Sequence, residues 1–265
     1  MRVRAGYVDT QWGQVHYRAV GGEGPMVALF HESPLSSMVY RDVLELLGGE
    51  VRVVAFDTPG YGNSAPPPRD GFEIPDYAAI LAEAISHFEP TDLVVAGVHT
   101  GASLAVEVAR LLPAQTRGVV ASGIALFTPE ERAEYLRSWA PQPEIDADAS
   151  QFAWAIERYR RIWPGLSPQM LHDAVLQVNA VLPRYAWGYH AAFRHDPAPA
   201  LAELQVPVLL LDAEHDLLAE KDAVALQIAQ DARLVVLEGL AGQPHLRTPQ
   251  RYAAELLAFV AEVAQ

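Results

Sequence analysis

The 265-residue sequence predicts an α/β fold: a mostly parallel sheet flanked by helices, with a helical cap inserted into it. Three observations carry that expectation. The runs MVALF (26–30), VRVVAF (51–56), LVVAGV (93–98) and GVVASGI (118–124) are nearly continuous in apolar residues and bounded by turn chemistry, as strands buried on both faces require. Helix-like stretches separate them, which is the alternation of parallel strands joined by crossovers. After a long helical interval, VPVLLLDA (206–213) and ARLVVLEG (232–239) restore the strand pattern.

Taken in order, the chain opens with GYVDTQWGQVHYRAV, an antiparallel hairpin turning near Gln11-Trp12-Gly13. YRDVLELL, DYAAILAEAISHF and GASLAVEVARLL then supply the helices between the apolar runs, so residues 1–126 form the first part of the core. From 127 to 204 there are helical patterns and proline punctuation but no convincing strand, which marks a helical cap. Four of the five tryptophans fall there (Trp139, Trp154, Trp163, Trp187), giving the cap an aromatic character that the core lacks. Residues 205–265 complete the core and close on an amphipathic helix, RYAAELLAFVAEV. No internal repeat interrupts this scheme.

Composition narrows the function. With 51% apolar residues the chain is globular rather than disordered. A formal charge of −14 argues against a nucleic-acid partner, which needs clustered Lys and Arg. No cysteine is present, so disulfides, thiolate nucleophiles and thiolate zinc sites are excluded. The start, MRVRAGYVDTQWG, lacks the apolar stretch of a signal peptide, and no run of about 18 apolar residues suggests a membrane span. The expectation is a cytoplasmic protein with no membrane partner. There is no phosphate-cradling GxxxxGK and no HxxxH or HxH spacing, so no cofactor and no metal are expected.

The chemistry concentrates in LVVAGVHTGASLAVEVA. A buried strand runs into Gly97-Val98-His99-Thr100-Gly101 and directly into a helix. Small residues flank the centre because a sharp strand-to-helix turn brings two backbones together, and such a turn projects its central side chain beside helix N-terminal amides. This is the spacing of a nucleophile elbow with His99 where serine is usual. The plainer alternative is a glycine-rich turn carrying a chance histidine.

Other segments bear on that choice. His31-Glu32-Ser33-Pro34 follows one strand, Asp57-Thr58-Pro59-Gly60-Tyr61-Gly62 follows the next, and Asp216 lies nine residues beyond Pro207. With the elbow, these ordered landmarks make the chain resemble the α/β-hydrolase superfamily over essentially its whole length. More particularly it resembles the capped branch of esterases, epoxide hydrolases, dehalogenases and carbon–carbon bond hydrolases. The resemblance implies the α/β-hydrolase fold, an acid at Asp216, and an oxyanion hole from the backbone N–H groups of Ser33 and Thr100. It also implies a histidine in the late loop, and here the sequence departs. That loop reads Gly239-Leu240-Ala241-Gly242-Gln243-Pro244-His245-Leu246, placing Gly242 at the catalytic position and His245 on a neighbouring one.

The two departures are complementary: an imidazole replaces a hydroxymethyl at 99, and a glycine without a side chain faces it at 242. The expectation is that His99 swings into that space and pairs with Asp216, forming a base or nucleophile of near-neutral pKa without an intervening serine. His31 reads as loop support. Glu32, where the family carries glycine, reads first as a structural or solvated carboxylate and second as a relay partner. His245 is the other candidate for substrate contact or proton relay. Asp212 is the runner-up acid. Of the cap residues, Trp154, Tyr159, Trp163, Trp187, Tyr189 and His190 are expected to roof an apolar pocket, although such residues are usually packing. The function expected is that of a cofactor-independent enzyme acting on a small hydrophobic carbonyl compound such as an ester or lactone. The alternatives are lyase, isomerase or cyclase chemistry through an enolate, or a non-catalytic relative that binds a small ligand.

Overall fold

The computed structural model describes residues 2–264. Strands β1 (Arg4–Thr10) and β2 (Gly13–Val20) form the opening hairpin, followed by β3 (Met26–Phe30), helix α1 (Arg41–Leu47), β4 (Arg52–Phe56), α2 (Ile74–Ser86), β5 (Leu93–Val98), α3 (Thr100–Leu111) and β6 (Thr116–Ser122). Helices α4 (Pro129–Ser138), α5 (Ser150–Ile162), α6 (Pro168–Ala180), α7 (Trp187–Arg194) and α8 (Ala198–Glu203) come next, with no strand among them. The chain then returns through β7 (Val208–Ala213), α9 (Asp222–Ile228), β8 (Ala232–Leu237), α10 (Pro244–Arg247) and α11 (Pro249–Val263). None of these helices is long and apolar enough to cross a membrane.

All eight strands join one sheet in the order β1-β2-β4-β3-β5-β6-β7-β8. The β1–β2 and β2–β4 pairs are antiparallel and every later pair is parallel. Residues of β3, β5 and β7 are buried throughout, because helices cover both faces, and this is why those segments lack polar alternation. Two apolar layers result. On one face, Phe30, Phe56, Val95 and Val119 pack against Tyr77, Leu81 and Leu104. On the other, Leu29, Val53, Val94 and Val120 pack against Tyr40, Leu44, Tyr252 and Phe259.

Register brings the working ends of the strands together. Phe30 pairs with Gly97, Val98 with Ser122, and Ala121 with Leu210, so the C-terminal ends of β3, β5, β6 and β7 lie along one edge. Connections leave β3 toward β4 on one side and reach β5 on the other, and ligands of open α/β sheets bind at such a reversal. The helices of 129–203 begin next to this edge. Thr128 starts α4 with a capping box: its Oγ1 accepts from the Glu131 N–H at 3.2 Å, and its own N–H donates to Glu131 Oε2 at 2.8 Å.

Candidate active site

The turn at His99 is built by the backbone on both sides of it. Its N–H donates to Ser122 O at 2.8 Å, tying it to the end of β6, and its carbonyl accepts from Ala102 and Ser103 at 2.9 and 3.3 Å, starting α3. Between these anchors His99 takes φ 50°, ψ −111°, a conformation a side chain rarely adopts. The close approach of strand, helix and β3 explains the flanking glycines. A Cβ on Gly97 would collide with the backbone of Gly101, and one on Gly101 would collide with Phe30 O.

Held in this way, the His99 ring reaches Asp216, which follows β7. Nε2 lies 3.0 Å from each Asp216 carboxylate oxygen, and Oδ1 also accepts from the Leu218 N–H at 2.9 Å. With Nε2 donating to the carboxylate, Nδ1 is the free ring nitrogen. The imidazole retains 17% exposure and Asp216 only 1%. The path the ring follows differs in one respect from the sequence expectation. The atoms nearest a Cβ on Gly242 belong to Asp216, with Oδ2 at 3.0 Å. The ring itself lies against Gly123, at φ +63°, where a Cβ would collide with His99 Cδ2 and stand 2.9 Å from Nε2. Gly242 leaves room beside Asp216, whereas Gly123 leaves room for the His99 ring.

Burial alone would lower the His99 pKa, but the Asp216 carboxylate overrides it, with Glu32 and Asp212 adding to the effect, and the imidazole is pushed up to about 9. This corrects the near-neutral value expected from the residue type. An ordinary solvated imidazole does not sit against a buried carboxylate. Burial likewise works against ionising Asp216, and the imidazolium more than compensates, holding the carboxyl below its usual range.

A second buried pair stands nearby. His245 Nε2 lies 3.4 Å from Glu32 Oε2, with both side chains at 2% exposure or less. Burial would raise the Glu32 pKa, but His245 and then His99 draw it below the usual carboxylate range, so it is ionised. Neither the Glu32 oxygens nor the His245 ring nitrogens have a hydrogen-bond partner in the protein. His31 is fully engaged: Nδ1 contacts Glu32 O at 2.9 Å and Nε2 accepts from the Thr58 N–H at 3.0 Å. Asp57 is equally occupied, by His16 Nδ1 at 2.8 Å and the N–H groups of Ser37 and Asn63. No cluster of three His, Asp or Glu side chains arranged to hold a metal ion occurs among the described residues.

Above His99 and Thr100 lies a cleft of about 100 Å³, walled by Phe127, Tyr135, Trp139, Tyr189, Phe193, Leu217 and Leu218. Of the cap residues expected there, only Tyr189 lines it. Trp154 packs edge-on to Tyr185 at 5.1 Å, and Tyr159 packs edge-on to Trp163 at the end of α5 at 4.9 Å, so these rings are taken up in packing away from the cleft. Trp187 and His190 are half-buried outside the lining. The walls missed by sequence reasoning carried a signal. Tyr135–Trp139 at the C-terminal end of α4, with Trp139 as its cap, and Tyr189–Phe193 on α7 are i, i+4 aromatic pairs, and Tyr135 stacks on Phe193 at 5.3 Å across the two helices.

A sheet-edge elbow, an acid after a later strand and a helical insertion above both are the hallmarks of the α/β-hydrolase class. This chain belongs to the alpha/beta hydrolase family, whose profile matches residues 27–255. It is 32% identical over 114 residues to haloalkane dehalogenase 2 of Mycobacterium tuberculosis, a match covering 43% of this chain and only 40% of that protein. It is 26% identical to the pimeloyl-[acyl-carrier protein] methyl ester esterase of Nitrosospira multiformis, over 90% of this chain and 95% of the relative. Among solved structures, E-2-(acetamidomethylene)succinate hydrolase superposes with a TM-score of 0.81 at 23% identity, covering 98% of this chain and 100% of that one. The epoxide hydrolase CorEH superposes at 0.79 with 18% identity, covering 98% and 99%. These two likenesses speak for the fold.

Proposed function

We propose that the protein is an atypical α/β-hydrolase-fold enzyme that acts on a small hydrophobic carbonyl compound, an ester or lactone, through a His99–Asp216 dyad. The observation that carries this reading is the contact of His99 Nε2 with both Asp216 oxygens from the elbow position. In its neutral form, His99 accepts a proton at Nδ1 from a water molecule, whose oxygen attacks the carbonyl carbon. The resulting oxyanion is received by the N–H groups of Ser33 and Thr100. Neither donates to a protein acceptor among the described residues, and Thr100 stands at the first turn of α3. Collapse breaks the carbon–oxygen bond, and the departing alkoxide takes the proton back from the imidazolium. Glu32 and His245, buried 3.4 Å apart, are the candidates for contacting the substrate or relaying a proton.

The same imidazole beside free N–H donors suits proton abstraction next to a carbonyl, and that is the second reading. The test is hydrolysis of a p-nitrophenyl ester panel by wild type and His99→Ala, with thermal melts as folding controls. Hydrolysis that disappears in the variant supports the dyad. Equal background rates in both reject ester hydrolysis. Exchange of α-protons for deuterium by wild type alone then supports enolate chemistry, and its absence leaves ligand binding without catalysis.

A further inference from the structure

His99 reaches Asp216 only because Gly123 is where it is, and Gly123 is itself held. It follows the last residue of β6 in a left-handed conformation. A Cβ there would intrude on the imidazole and stand 3.0 Å from Asp216 Oδ1, so the backbone at 123 forms one wall of the passage between the two side chains. The Gly123 N–H donates to Asp212 Oδ2 at 2.8 Å, a contact that spans 89 residues. The other oxygen, Oδ1, accepts from the Ala213 N–H at 2.8 Å. Asp212 is 1% exposed, and the Asp222 carboxylate at the start of α9 lies within hydrogen-bond reach of it.

We propose that Asp212 is a positioning residue: its carboxyl, backed by Asp222, clamps the Gly123 turn and so fixes the wall along which His99 meets Asp216. This rests on the reading of His99 and Asp216 as the working dyad. A buried carboxyl facing two other acids is costly and needs a reason to be there. The reason is acceptor geometry. Asp212 offers one oxygen to each of two buried N–H groups, which would otherwise have no partner. Burial, then Asp216 and Asp222, pushes Asp212 up to about 8, which lessens the charge it places beside Asp216 near neutral pH.

The experiment combines kinetics with NMR of ¹⁵N-histidine-labelled protein, which reads the His99 titration midpoint and tautomer directly. Asp212→Asn keeps an oxygen for Gly123 but gives up the acceptor for the Ala213 N–H, so a loss of stability is expected while the His99 midpoint stays high and kcat falls far less than in the leucine variant. Asp212→Leu removes both acceptors. The expected result is a His99 midpoint lowered by detachment from Asp216, kcat down about 10- to 100-fold, and KM little changed. Gly123→Ala serves as a second route that leaves Asp212 intact, and it is expected to displace the ring in the same way. The proposal is overturned if Asp212→Leu and Gly123→Ala fold and leave the His99 midpoint unchanged, or if Asn and Leu at 212 are equally damaging. Retained activity in His99→Ala overturns the dyad reading instead, while the NMR result still decides whether Asp212 holds the ring.

Discussion

Because the His99–Asp216 pair retains a proton at neutral pH, the pH dependence of hydrolysis is a direct test of the proposed chemistry. With His99 pushed up to about 9, about 1% of the imidazole is free to act as a base at pH 7 and about 10% at pH 8. If neutral His99 activates water, kcat/KM therefore climbs about tenfold per pH unit from 6 to 8 and levels off above 9. Replacing Asp216 with asparagine removes the main group that overrides burial, so the midpoint falls well below 9 and the limb moves toward acid pH. The plateau falls as well, by about 10²- to 10³-fold, since a less basic and less firmly held imidazole is a poorer catalyst. The assay is ester hydrolysis from pH 6 to 10, with the His99→Ala rate subtracted to remove attack by hydroxide. A limb near 7 in wild type, or the same limb in wild type and Asp216→Asn, would refute the reasoning. Stability gives an independent check with a definite sign. The folded midpoint of His99 lies above its unfolded value of 6.5, so its contribution is complete below 6.5 and lost as pH rises through about 9. Asp212, raised to about 8, adds a decline of the same sign between roughly pH 4 and 8, so the two proteins are best compared above pH 8.

Three further outcomes are expected. Asp57, held down to about 2 against burial by its bond to His16 and by His31, contributes stability that is present above about pH 4 and lost as pH falls toward 2. Asp57→Asn should thus cost roughly 3 kcal/mol at pH 7 and flatten the acid slope, read by urea unfolding at pH 3 and 7. Gly242→Ala places a Cβ 3.0 Å from Asp216 Oδ2 at φ +89°, so a loss of about 1–2 kcal/mol and a fall in kcat larger than any change in KM are expected from melts and kinetics. The cleft of about 100 Å³ is smaller than the roughly 150 Å³ cavity that takes benzene, which favours acyl groups of about four carbons or fewer. In an acyl-length series, Phe193→Ala should shift the preference toward longer chains.

The strands were legible because burial on both faces leaves no polar alternation to obscure them, and β3, β5 and β7 occupy the apolar runs that mark them. The run through 118–124 overshoots, since β6 stops at Ser122. Nothing local to Gly123 announces the stop; its N–H is claimed by a carboxyl 89 residues away. The same long-range dependence explains why Gly242 drew attention and Gly123 did not. A missing histidine is visible against a family pattern, whereas a passage for a side chain exists only once two strand ends are neighbours. In the cap, composition showed that aromatics would gather but not which way they face. Trp154 packs on Tyr185 and Tyr159 on Trp163, and the cleft is left to residues whose i, i+4 spacing places them on the inner sides of α4 and α7.

The backbone at His99 has a consequence of its own. A side chain at φ 50°, ψ −111° costs on the order of 1–3 kcal/mol, a strain that glycine would relieve at once. The strain is set against the pairing of the imidazole with the buried Asp216 carboxylate, so residues 99 and 216 are tied together. Glycine at 99 would relax the backbone and leave a buried carboxylate without its partner.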